Sequence, residues 1–206
     1  MRRFKKLLVS LSLLLSILIV SSGVTSFAIL PEGIKLGGSY SEVLRQDYDH
    51  EKYQVHHLIS KEAWNRLADE IERREGLKPW NKFILCDAKQ GWAPSILMEK
   101  EDHMKTQSYW DPFCSESEGM RSRDYIDYQT DGLIMFGNVN YLLRKECEDI
   151  REKFGGKYAE AIQQMYNYAN PIIKVEKAEL TITNPENSRW FVRYRICLLY
   201  TSDAAD

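Results

Sequence analysis

The chain is poor in the residues that punctuate or staple a fold. Glycine (11) and proline (6) are scarce among 206 residues, which excludes collagen-like and linker-dominated architectures. No Cys-x-x-Cys pair occurs, so a cysteine-based zinc site has no support. No His-Glu-x-x-His occurs either, so the commonest metalloprotease arrangement is missing. Neither sign of charge is in excess. A formal net charge of −2 argues against a whole-surface polycation that grips nucleic acid by bulk charge, while leaving room for a local basic groove. The one long apolar run, over residues 7–20, falls short of the roughly 20 residues a membrane span needs. What is plentiful is ordinary globular material. Hydrophobic residues make up 44%, charged residues 28% and aromatics 12%, enough for one domain with a real core and incompatible with wholesale disorder.

The two ends read differently from the middle. Residues 1–28 are expected to be an export signal. Arg2, Arg3, Lys5 and Lys6 precede the apolar run, which is interrupted by Ser10, Ser12 and Ser16. Ser26 and Ala28 then occupy the −3 and −1 positions of a small-residue cleavage site. An uncleaved anchor is the alternative, and no cysteine follows the run to suggest a lipoprotein. The expected location is secreted or extracytoplasmic, with membrane contact only through the signal. Residues 197–206, Cys-Leu-Leu-Tyr-Thr-Ser-Asp-Ala-Ala-Asp, match the translation of a transposase adapter and are expected not to belong to the natural chain. Setting both ends aside removes four basic residues and the acids Asp203 and Asp206, which takes the net charge from −2 to −4. It also leaves three cysteines, Cys86, Cys114 and Cys147, which allow at most one internal pair rather than a disulfide framework.

Residues 29–49, with Pro31, Gly33, Gly37 and Gly38, show no period and are expected to form a linker with little structure. A strand is expected over 53–59. A helix then opens at Ser60, with Ala63, Trp64, Leu67, Ala68 and Ile71 at helical spacing and Gly76 as its stop. A loop or irregular hairpin over 78–91 leads to a strand over 94–98. Helix is expected over 99–109, with Glu99, Glu101 and Asp102 in a first turn where the helix dipole favours acids. After a loop over 110–119 come a helix over 120–128 with Gly132 beyond it, and an amphipathic helix marked by Val139, Leu142, Leu143, Cys147, Ile150 and Phe154 and stopped by Gly155 and Gly156. A further helix over 158–169 stops at Pro171. Alternating segments near 178–183 and 190–196 flank Asn184-Pro185-Glu186-Asn187, as in a β-hairpin or the start of a truncated module. The class is α+β, with a small two-stranded core among helices, a main domain over 50–170 and a C-terminal β segment over 171–196.

Only four histidines exist: His50, His56 and His57 lie within eight residues, and His103 completes the set. His56 and His57 sit on the first expected strand, and His103 follows the second. Neighbours on a strand point to opposite faces, so one ring can hold a metal while the other meets a reacting group. That division suits hydrolysis at phosphorus. A divalent ion stabilises charge on the phosphate, and an imidazole titrating near neutrality takes a proton from water. A helix after the second strand can return His103 to the same place.

These residues resemble the HNH/endonuclease VII (ββα-metal) nucleases, and most closely the nuclease domains of bacterial polymorphic toxins. The motifs are Tyr53-Gln54-Val55-His56-His57-Leu58-Ile59, Ala93-Pro94-Ser95-Ile96-Leu97-Met98 and Asp102-His103-Met104-Lys105-Thr106-Gln107-Ser108, with a helical pair from Asp149 to Met165. The resemblance implies a small ββα-metal finger core embedded in helices, with His56 as a metal ligand and His57 as the base that activates water. His103 would be a second ligand or would touch the scissile phosphate. Gln54 stands where relatives often place an acid, which leaves the metal shell open, and Asp102 would be a ligand or would orient a histidine ring. Thr106 or Gln107 stands where many relatives use His or Asn. The implied cofactor is a divalent ion, Mg²⁺, Mn²⁺ or Zn²⁺. The implied partners are DNA or RNA as substrate and a cognate immunity protein.

The remaining polar residues divide by their setting. His50 is expected at the surface, and Glu99 and Glu101 as helix-start acids. Lys105, Arg121 and Arg123 either line a phosphate-binding face or are ordinary solvated charges. Trp64, Trp80, Trp92 and Trp110 are expected to pack rather than stack on bases. Two rival functions remain: a secreted binding module without catalysis, and a metal-dependent hydrolase of another substrate.

Overall fold

The computed structural model describes residues 30, 32–76, 91–109, 116–176, 179–183 and 190–196, the side chains of 116–122 and 190–192 excepted. The expected export signal, the adapter-like tail, Cys86, Cys114, Trp80 and Trp110 lie outside the described residues. The architecture is α+β, with two three-stranded antiparallel sheets joined by helices.

The first sheet has the order β1 (Gly37–Ser39), β3 (Pro94–Glu99), β2 (Tyr53–His57). Central β3 is buried on both faces, which is why its sequence is a continuous apolar run rather than an alternating one. Its register with β2 sets His56 opposite Ile96 and His57 opposite Ser95. The strand β1 and the short helix α1 (Tyr40–Leu44) correct the expectation of an unstructured linker. They also correct the two-stranded core, because β1 pairs with β3 on its free side. Local alternation does not produce β1; a neighbour holds it. Gln164 Oε1, on helix α6 (Ala159–Ile172), accepts from both Leu36 N at 2.8 Å and Gly37 N at 3.1 Å.

Helix α2 (Lys61–Glu75) begins and ends as expected. Ser60 Oγ accepts from Ala63 N at 3.1 Å, and Gly76 closes it in the left-handed conformation. Its apolar face buries Trp64, Leu67 and Ile71, each worth about 1.5–3 kcal/mol of transfer free energy for the aliphatic residues and at least as much for the indole. After β3 the expected eleven-residue helix is one turn, α3 (Lys100–His103). The Thr106 hydroxyl donates to the His103 carbonyl at 2.8 Å, and the chain turns away through bonds three residues apart.

Helix α4 (Glu116–Phe136) is longer than expected, and Gly132 lies inside it. The reason is packing: a side chain there would press on Leu142 of α5 (Val139–Phe154). Between the two helices Gly137 has φ 59°, and a Cβ would come within 2.4 Å of Ile196 Cδ1. Its conformation requires glycine, and a side chain would also have to displace the end of Ile196. Helix α6 runs one residue past Pro171 and feeds β4 (Ile173–Glu176), a strand not expected from sequence. The strands β5 (Glu179–Thr183) and β6 (Trp190–Arg195) realise the expected hairpin and complete a β4-β5-β6 sheet.

Candidate functional site

Three stretches of chain build the site. Period-two alternation on β2 sets Gln54 and His56 on one face and His57 on the other. The turn of α3 brings His103 back over the Gln54/His56 face, and α5 delivers Glu146 from the opposite side. The position of β2 is fixed from α4. Gln129, fully buried, accepts from Ser60 N at 2.9 Å and donates to the Leu58 carbonyl at 3.1 Å, which clamps the turn after His57.

His56 is 1% exposed, and its Nε2 lies 3.0 Å from Glu146 Oε1. Ser108 Oγ donates to the same oxygen at 2.9 Å. Glu146 Oε2 is buried, and among the described residues the Tyr125 hydroxyl of α4 is the further group close enough to interact with this carboxylate. Burial first, and then the carboxylate, push the Tyr125 pKa far above the usual phenol range. The His103 ring meets the His56 ring edge-on with centroids 4.9 Å apart, and meets Tyr109 at 5.0 Å. Its Nδ1 lies 3.0 Å from Gln54 Oε1. An amide oxygen can only accept, so Nδ1 carries the proton and the ring's lone pair is left on Nε2.

His57 stacks on Tyr40 of α1, with centroids 4.2 Å apart and planes at 21°. Its Nε2 is buried without a hydrogen-bond partner. Burial, then the charge of His56, then that of Lys61 push its pKa down to about 3. Burial, then His56, then His57 push His103 down to about 2. On one face of β2 a neutral His103 therefore lies beside the buried His56–Glu146 pair, and on the other a neutral His57 lies against Tyr40.

The remaining expected residues sort clearly. Asp102 is turned toward the segment just before α6, where Lys157 Nζ and the Tyr158 hydroxyl each reach its Oδ2 at 2.7 Å. Lys157 also pairs with Glu99 at 2.9 Å, so Glu99 is more than a helix-start acid. Lys105 pairs with Asp102 at 3.5 Å, and Arg123 is exposed. Thr106 is buried on the His103 carbonyl. His50 is exposed against Tyr48, and Trp64 is core. Sequence reasoning passed over Glu146. The signal for it is a charge inside an apolar stripe: Glu146 falls on the buried face of α5 with Leu142, Leu143, Cys147 and Ile150.

The donors for an ion divide into two groups. Gln54 and Asp102 do not suit it, one being hydrogen-bonded to His103 and the other ion-paired to Lys157. His56 and His103 suit it chemically, as imidazoles beside a buried carboxylate. Among the described residues no three His, Cys, Asp or Glu side chains are packed around a common metal position. Among them also, no helix is long and apolar enough to cross a membrane.

The chain matches no model of a known family, no curated protein and no solved structure.

Proposed function

We propose that this protein hydrolyses phosphodiester bonds of DNA or RNA at the His56/His57/His103 cluster, as a secreted, toxin-like nuclease. One observation carries the reading: residues 47 positions apart in sequence, His56 and His103, meet ring to ring beside a fully buried carboxylate. Burying a carboxyl group against an imidazole costs desolvation of both polar groups, and a structural core gains little from it. Such an arrangement is more economically explained by chemistry than by packing.

A divalent ion at the cluster would be held by His56 and His103, and it would supply charge neutralisation at the scissile phosphate. The protein's own part is proton management. His57 is the proposed base, but the expected near-neutral titration does not hold for it as folded: burial lowers its pKa to about 3, so it takes a proton from water only once water reaches Nε2 and relieves that desolvation. A second assignment has an observation in its favour. The lone pair of His103 lies on Nε2 of a ring that is only partly buried, so His103 could take the same proton.

Cleavage of plasmid DNA and of RNA, with and without EDTA, tests the proposal. His57→Ala should lower the rate by roughly 10²–10⁴-fold with an unchanged far-UV CD spectrum. Full activity in His57→Ala combined with loss in His103→Ala would move the base to His103. Wild-type protein inert on every nucleic acid, yet active on another ester or on a peptide under the same conditions, would replace this reading with that of a different hydrolase.

A further inference from the structure

We propose that Glu146 and Gln54 are positioning residues, each holding one histidine of the cluster in a single tautomer so that the ring keeps its other nitrogen as an acceptor for the attacking water. The inference rests on reading the cluster as a hydrolytic centre. Glu146 is 0% exposed, and three donors from three stretches of chain meet at its carboxylate. His56 Nε2 of β2 lies 3.0 Å from Oε1, and Ser108 Oγ, beyond α3, lies 2.9 Å from the same oxygen. The Tyr125 hydroxyl of α4 is the third.

Which nitrogen of an imidazole carries the proton is set by the hydrogen bond it makes. A carboxylate accepts and does not donate, so the proton of the His56 contact sits on Nε2 and the lone pair of the neutral ring on Nδ1. Gln54 Oε1 does the reverse for His103, fixing its proton on Nδ1 and its lone pair on Nε2. Two rings in edge contact, 4.9 Å apart, are thus held in opposite tautomers by two different side chains. Packing does not ask for the acid. The neighbours of Glu146 on the buried face of α5 are Leu142, Leu143, Cys147 and Ile150, among which an apolar side chain would avoid desolvating a carboxylate. What the acid supplies is orientation: Ser108 and Tyr125 fix the carboxylate, and the carboxylate fixes the ring. Two acceptor nitrogens on adjoining rings match the two O–H donors of one water, the nucleophile of the proposed reaction.

Long-range proton–nitrogen NMR of the histidine rings tests this without reference to cleavage. In wild type His56 should be protonated on Nε2 and bare on Nδ1, and His103 the reverse. Glu146→Gln, whose amide can donate as well as accept, should let His56 populate the other tautomer and should lower kcat by roughly 10²–10⁴-fold with KM little changed. Gln54→Ala should release the His103 tautomer in the same way. Glu148→Gln, at a partly exposed position two residues along α5, should leave ring spectra and rate as in wild type. An acid that served the fold alone would change the melting temperature and not the tautomers. His56 protonated on Nδ1 in wild type, or His56 ring resonances unmoved by Glu146→Gln, would overturn the proposal. Should Glu146→Gln fail to fold, Ser108→Ala and Tyr125→Phe take its place, because they loosen the carboxylate without removing it. Each should lower kcat about 10-fold with KM and far-UV CD unchanged, and wild-type rates in both would overturn the assignment. The expected tautomers in a protein that cleaves neither DNA nor RNA would support the positioning roles and overturn the nuclease reading.

Discussion

Asp102 is a buried carboxylate used for structure. Burial works against its charge, but hydrogen bonds from Lys157 and Tyr158 and the charges of Lys157 and Lys105 outweigh it, so its pKa falls below the usual aspartate value. A folded-state pKa below the unfolded one means that the group stabilises the fold above the unfolded pKa, near 3.9, and that this contribution is lost as pH falls through and below it. Asp102→Ala should therefore cost about 2–3 kcal/mol at pH 7, where it strands Lys157 and the Tyr158 hydroxyl. The deficit should shrink progressively as pH falls below the unfolded pKa. Urea unfolding of both proteins from pH 7 downward measures it; a deficit that does not change with pH would show that Asp102 acts through packing instead. The comparison with Glu146 is instructive. Asp102 has both a cation and a hydroxyl on one oxygen, whereas Glu146 has an imidazole and a serine on one oxygen, the Tyr125 hydroxyl nearby, and no cation.

At the scale of elements, the contact between β1 and α6 decides whether the first sheet has three strands. A Cβ on Gly37 would lie 2.0 Å from the Ala161 carbonyl oxygen and 2.8 Å from Met165 N, both backbone atoms that cannot step aside. Gly37→Ala should therefore push β1 off α6 and cost about 2–3 kcal/mol. Gly156→Ala, at a position where a Cβ meets nothing within 4 Å, should stay within about 0.5 kcal/mol. Thermal melts of the two variants make the comparison, and a Gly37→Ala protein as stable as wild type would mean that β1 is not docked there. The same contact explains what sequence could and could not reveal. Elements that carry their own caps and stripes, such as α2 between Ser60 and Gly76 or α5 before Gly155, were legible because the determinants are local. The strand β1 and the continuation of α4 through Gly132 were not, because distant partners make them: Gln164 and Leu142. The site divides in the same way. Four histidines in 206 residues draw attention to His56 and His103, but Glu146 lies 90 residues from His56 and looks, in sequence, like one more acid on an amphipathic helix.

At the scale of the whole molecule, the described residues pair many of their cations with carboxylates. Arg66 pairs with Glu62 and Asp127, Lys153 with Asp149, and Lys157 with Glu99 and Asp102. A nuclease built on this surface would depend on its buried cluster rather than on bulk attraction. That makes the integrity of the core the condition for function, and the core is continuous. One buried cluster contains Leu97 and Met98 of the first sheet, Met165, Ala169 and Ile172 of α6, and Leu180, Ile182 and Tyr194 of the second sheet. Helix α6 is the bridge, since it packs across β1 and β3 and then runs directly into β4. The C-terminal sheet should therefore unfold with the histidine-bearing sheet rather than as a separate module. Leu180→Ala, which empties a fully buried position on β5, should cost about 2–5 kcal/mol. That loss should lower the urea midpoint equally by far-UV CD and by the fluorescence of the tryptophans, among them Trp64 on α2. Transitions that coincide in wild type and shift together in Leu180→Ala fit a single cooperative unit. A variant whose CD signal falls in two steps, with tryptophan fluorescence following only the later one, would show that β4–β6 is a module the histidine site can do without.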